Sequence, residues 1–258
     1  KTMRAKWFTL TVLCVFLVAI LAGCGGGPPT STPTPTPSPT KTAKPEIVSA
    51  IAGARTLQSG DAIQPATVVN FTGQGPADAV IRVYSGATLI GTVTTNAAGA
   101  FNFPWTAGAT EGTTTLQFTA KKPDLDESDP VAFTLVIDGT GPSIVSGSAK
   151  ADAPGGTPPV ITIVFNEPLV VSDMTQFTLV PSPYFTIVLG GPGLFNLSQI
   201  SLGADKKTVT LTGTALTDQL TAGIAVLVQF APAGPLTVTD QAGNPCVLPA
   251  QITFTVSP

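Results

Sequence analysis

Apolar and polar side chains alternate at every second position along much of this sequence, and that period constrains the fold more than any other feature. Phe101, Phe103 and Trp105 follow it, as do Leu116, Phe118 and Ala120, with Thr115, Gln117 and Thr119 between them. A third run alternates Phe133, Leu135 and Ile137. A two-residue period puts one side of an extended chain in a core and the other in water, whereas a helix requires a period near 3.6. Shorter runs fit the same scheme. Val68-Val69 leads into a strand closed by Thr72-Gly73, Ile81-Arg82-Val83-Tyr84 stops at Ser85-Gly86, and Leu89-Ile90 is closed by Gly91. Further on, Val160-Ile161-Thr162-Ile163-Val164-Phe165 ends at Asn166-Glu167-Pro168. In residues 208–212, Val209 and Leu211 face a core and Lys206-Lys207 forms a solvated hairpin tip. Turn residues every 8–12 positions or so between such strands predict antiparallel β-sandwiches. Charged residues make up only 10% of the chain, which suits β-structure better than long exposed helices.

The first 45 residues are of a different kind. Arg4 and Lys6, after Met3 as the expected initiator, precede an almost wholly apolar run over residues 7–22. The run is nearer the length of a signal h-region than the roughly 20 residues of a spanning helix. It closes on Leu21-Ala22-Gly23-Cys24, which resembles the lipobox of bacterial lipoproteins. The resemblance implies a leader over residues 1–23, cleavage before Cys24 and a diacylglycerol on its thiol as the lipid anchor. An uncleaved N-terminal anchor helix is the alternative. Residues 24–45 are then a Pro/Thr-rich linker centred on Pro33-Thr34-Pro35-Thr36-Pro37-Ser38-Pro39-Thr40. Proline at alternate positions forbids a helix and favours polyproline II, at about 3.1 Å per residue. The linker is either bare or O-glycosylated. Ser38-Pro39-Thr40-Lys41 matches a Ser-x-x-Lys pattern, but a proline-rich tether offers no helix to carry that chemistry.

Two tandem modules follow, over residues 46–138 and 139–258. The run Gly75-Pro76-Ala77-Asp78-Ala79-Val80, then Leu89-Ile90-Gly91-Thr92-Val93, then Asn96-Ala97-Ala98-Gly99-Ala100-Phe101 resembles the bacterial Ig-like repeats of surface adhesins. In the second module, Phe165-Asn166-Glu167-Pro168, Asp205-Lys206-Lys207-Thr208-Val209-Thr210-Leu211 and Thr239-Asp240-Gln241-Ala242-Gly243-Asn244 resemble the Ig-like domain of S-layer and other cell-surface proteins. It departs from that pattern in an insertion around Pro181-Ser182-Pro183 and Gly190-Gly191-Pro192-Gly193, which leaves the pairing of the middle strands open. The fold expected is all-β: two tandem Ig-like antiparallel β-sandwiches after a signal peptide and a disordered linker.

Candidate ligand residues are few. Asp124, Asp126, Glu127 and Asp129 cluster between strands; a solvated hairpin loop is favoured over a calcium site. Asp138-Gly139-Thr140-Gly141-Pro142 resembles the joint between tandem Ig-like repeats, some of which bind calcium, and is read first as a short hinge. Asp240 and Asn244 suit a turn closed by Gly243, with a ligand role second. Gly73-Gln74-Gly75 precedes Pro76 and reads as a tight turn, not a dinucleotide loop. Cys14 falls in the leader and Cys24 at the lipid site, leaving Cys246 with no disulfide partner, as a part-buried apolar residue. No metal site or cofactor is assigned.

Functional classes narrow accordingly. The sequence has no histidine, so the usual general base and the common zinc sites are missing, and no catalytic residues are assigned. Removing the leader leaves nine basic against fifteen acidic residues, net −6, which argues against nucleic acid as a partner. The expectation is a non-catalytic surface protein of a bacterial membrane, held by lipid on Cys24, serving adhesion or envelope organisation. Surface proteins, glycans and further copies of the chain are the partner classes left open.

Overall fold

The computed structural model describes residues 40–151, 157–191, 193–214, 220–248 and 250–258. The leader, Cys24 and the linker to residue 39 lie outside the described residues. In the first module β1 (Glu46–Ala52), β2 (Arg55–Thr56), β3 (Ala62–Ile63), β4 (Val68–Gln74), β5 (Val80–Ser85), β6 (Thr88–Thr94), β7 (Ala100–Thr106), β8 (Gly112–Lys121) and β9 (Val131–Ile137) follow in chain order. They form two sheets, β2-β1-β4-β7 and β3-β9-β8-β5-β6, antiparallel except where β3 runs parallel to β9. Alternation builds the core between them. Phe71, Phe101 and Phe103 of one sheet meet Phe118 and Phe133 of the other, with Phe71 and Phe118 ring centroids 5.2 Å apart. Pro104 sits mid-strand on β7, an edge where its missing N–H breaks no ladder bond.

Several sequence expectations need correction here. Thr72-Gly73 do not close a strand and Gly73-Gln74-Gly75 is not a tight turn: β4 runs on to Gln74, with Gly73 paired to Phe101, and the chain turns only after Gly75. Gly91 does not close a strand but lies inside β6, where a Cβ would stand 2.7 Å from the Phe103 ring. It is there for close packing between sheets. Residues 40–45, read as linker, dock on the first sandwich. Lys41 makes a parallel bridge with Asp126, and Thr42 is buried and donates its N–H to the Asp126 carbonyl at 2.8 Å.

The second module contains β10 (Ile144–Ala149), β11 (Val160–Phe165), β12 (Val170–Val171), α1 (Met174–Phe177), β13 (Phe185–Leu189), β14 (Leu197–Leu202), β15 (Thr208–Gly213), β16 (Ala225–Phe230), β17 (Val238–Thr239) and β18 (Ala250–Thr255). The sheets are β10-β11-β15-β14 and β13-β16-β18, with a small β12-β17 pair. Their shared core has Phe165 edge-on to Phe230 at 6.0 Å, and the short α1, capped by Asp173, adds Phe177 to the same cluster. The Pro- and Gly-rich insertion flanks β13 on both sides. It carries the chain from β13, which pairs with β16 in one sheet, to β14, which pairs with β15 in the other. The fold is therefore all-β, two antiparallel sandwiches in tandem.

Candidate functional site

The described residues concentrate carboxylates at the joint between the sandwiches. Asp138 follows β9, Glu167 follows the proline-stopped β11, and Asp240 follows β17. One carboxylate oxygen from each lies within 4.8 Å of the other two. Three different turns deliver them, so the convergence is made by the tertiary fold.

Asp240 is held most firmly. It is 2% exposed, and its Oδ1 accepts the backbone N–H groups of Gly243 at 2.6 Å and Asn244 at 2.8 Å. Gly243 takes φ +97°, a conformation a side chain would resist, so the expected turn is present. Asn244 then donates from Nδ2 to both Asp240 Oδ2 (2.6 Å) and the Asp138 carbonyl (2.8 Å), tying the second sandwich to the end of the first. Asp138 caps its own turn by accepting from the Thr140 N–H at 3.1 Å. Glu167 is the least compensated. Burial, then the charges of Asp138 and Asp240, raise its pKa against a weaker opposing pull from Asn166 and Lys207.

An all-oxygen trio has the donor chemistry that hard cations accept, although calcium gathers six to eight oxygens and three carboxylates supply only part of that number. The acidic residues at 124–129 are arranged differently. Asp129 pairs with Lys41, the Asp126 backbone bridges the chain at residues 40–42, and Glu127 turns onto the sheet face. There Glu127 accepts from Arg82 Nη1 (3.0 Å), Tyr84 Oη (3.1 Å) and Thr119 Oγ1. Partial burial works against this carboxylate, but the Thr119 and Tyr84 bonds and the Arg82 guanidinium outweigh it and hold its pKa low. The loop is thus a clasp for the incoming chain and not a gathered ligand set.

Two further features complete the joint. Gly141 is buried where any Cβ would overlap the Pro245 carbonyl, and the Val247 N–H donates to the Pro142 carbonyl at 2.8 Å. Arg55 Nη1 donates to Ala62 O of the first sandwich (2.8 Å) and Gln241 O of the second (2.9 Å), while Nη2 pairs with Asp61 at 3.3 Å. Cys246 is buried and burial pushes its thiol up to about 11, as suits an inert packing residue. Of these residues the sequence singled out Asp138, Asp240, Asn244, Cys246 and the Gly141-Pro142 step of the joint. Glu167 showed as a strand stop before Pro168 and as part of the S-layer-like strand motif, not as a ligand candidate, and nothing local marked Arg55.

No protein-family model matches the chain, and no curated protein matches it. Among solved structures it is similar to fibronectin(III)-like modules of Clostridium thermocellum CbhA, at 14% identity over 81% of this chain and 94% of that one, with a TM-score of 0.30. It is also similar to the BSP domain of a biofilm-associated protein, at 18% identity over 78% of this chain and 29% of that one, with a TM-score of 0.23. A titin structure aligns at 12% identity over 79% of this chain and 99% of that one, with a TM-score of 0.25.

Proposed function

We propose that this chain is a non-catalytic surface protein of a bacterial membrane, anchored by lipid on Cys24, whose two Ig-like sandwiches work as one stiff presenting module. The observation that carries this reading is the joint. A glycine cradle at Gly141, the Asn244 bond to Asp138 and the Arg55 bridge leave little room for the sandwiches to swing independently. A stiff pair offers loops and strand edges at a fixed spacing, which suits adhesion or envelope organisation better than chemistry. The missing histidine supports the same view. Glycan binding by ring stacking is disfavoured, because Tyr184 is buried, Trp105 and Tyr84 are half-buried, and the Tyr84 hydroxyl is committed to Glu127. The lipobox and the apolar leader support the address.

The test of placement is Cys24→Ser in cells. The unaltered chain is expected to fractionate with membranes, and the variant is expected to appear in the soluble fraction or medium. Retention of the variant with membranes overturns the lipid anchor.

A further inference from the structure

We propose that the free edge of β13 pairs with the same edge of a second copy of this chain. The inference concerns the second sandwich alone and stands whether or not the chain is lipidated.

The backbone supplies the first part of the argument. The Ala231 N–H donates to Tyr184 O, and the Gly190 N–H donates to Ala225 O, so the even-numbered residues of β13 face β16. In an antiparallel ladder the residues between them face the other way. Phe185, Ile187 and Leu189 therefore direct their N–H and C=O groups to the free side. The Phe185 N–H is taken by Ser182 Oγ at 3.1 Å, while no described strand pairs with that side at Ile187 or Leu189.

Side chains supply the second part. A groove of about 410 Å³ lies beside this edge, with walls of mixed character: Val180, Pro181, Phe185, Ile187, Phe195 and Leu197 together with the polar Ser182 and Asn196. An open edge with a groove beside it is the arrangement that takes an added strand: main-chain bonds hold it and alternate side chains enter the groove.

Charge and regularity select the occupant. Natural sheet edges are usually guarded by lysine, proline or a bulge. The β6 edge has a register irregularity opposite Val83/Tyr84, β14 has one between Leu197 and Gln199, and β7 carries Pro104. β13 has none of these and pairs with β16 in unbroken register. No Asp, Glu, Lys or Arg occurs from residue 174 to residue 204, while Leu179, Val188 and Leu194 in that stretch are 43%, 49% and 48% exposed. A chain with an acidic excess repels its own copies across charged faces. This face is free of that opposition. The strand is also self-complementary: a two-fold centred on Ile187 sets Phe185 opposite Leu189 and Thr186 opposite Val188 of the second copy. Five paired residues and a groove make a small interface, at the weak end of specific association.

The test uses the full chain, purified in mild detergent and also displayed on cells. Thr186→Cys with Val188→Cys places thiols across the proposed two-fold at exposed positions. On oxidation this variant is expected to give a disulfide-linked dimer, while the parent and a Val145→Cys control on β10 do not. Val188→Lys is expected to abolish the dimer in sedimentation experiments with an unchanged melting temperature. A monomer at all concentrations, cross-linking no greater than the control, a dimer that survives Val188→Lys, or capture on cells of a different protein in place of a second copy would each overturn the proposal.

Discussion

Glu127 and Glu167 show how one residue type takes opposite roles in one chain. Glu127 has its pKa lowered by hydroxyl and guanidinium donors that overcome its partial burial. Its contribution to stability is present above the ordinary glutamate value and is lost as pH falls through the lowered one. Glu127→Gln is therefore expected to cost about 1 kcal/mol at neutral pH, with the cost fading in acid. Glu167 has its pKa raised by burial and by two neighbouring carboxylates. The sign reverses: the fold holds that proton more tightly, so the stabilising contribution is present below the ordinary value and is lost as pH rises through the elevated one. Glu167→Gln is expected to raise the melting temperature at neutral pH and to leave it unchanged in acid. Urea denaturation of both variants from about pH 2.5 to 8, a span that takes in the acid side of the ordinary glutamate value, checks the two signs, and a parallel response would contradict this account. Neither role is legible locally. Glu127 stands within an acidic run that reads as solvated, and its partners Arg82, Tyr84 and Thr119 reach it only once β5 and β8 pair.

Strands with strict alternation and large apolar residues were legible, because each position's burial is decided by the sheet it joins. β8 and β9 put Leu116, Phe118, Phe133 and Leu135 inward as their period requires. β10 and β13 were harder to read. β10 contains Gly147, which is there because a side chain would overlap the Phe254 ring, and β13 is enclosed by proline and glycine. Their strand character comes from their neighbours, not from their own pattern. The connecting segment after β9 makes the sharpest prediction for an element. Replacing Gly141 with alanine drives Cβ into the Pro245 carbonyl, a backbone atom that cannot rotate aside. Gly141→Ala is expected to cost about 1–3 kcal/mol or more, as overpacking does, and to increase proteolysis between residues 138 and 143. Replacing Gly91, which meets only the Phe103 ring, is expected to cost less, since the ring can shift. Equal losses in thermal melts of the two variants would remove the distinction.

Taken whole, the chain has two separate cores and one shared joint. The sequence marked the joint's turns but not its convergence, since Asp138, Glu167 and Asp240 lie far apart along the chain and meet only through topology. Arg55 ties the two parts most directly, since one guanidinium holds a carbonyl from each sandwich. Each such bond contributes on the order of 1 kcal/mol. Arg55→Ala is expected to widen the gap between two calorimetric transitions, or to split a single one, without abolishing either. An unchanged heat-capacity trace would show that the bridge carries no coupling. Coupling of this kind makes each half's melting point depend on the other half. Loss of one sandwich strips a partner from the other, and the protein passes between native and denatured populations with the two halves linked.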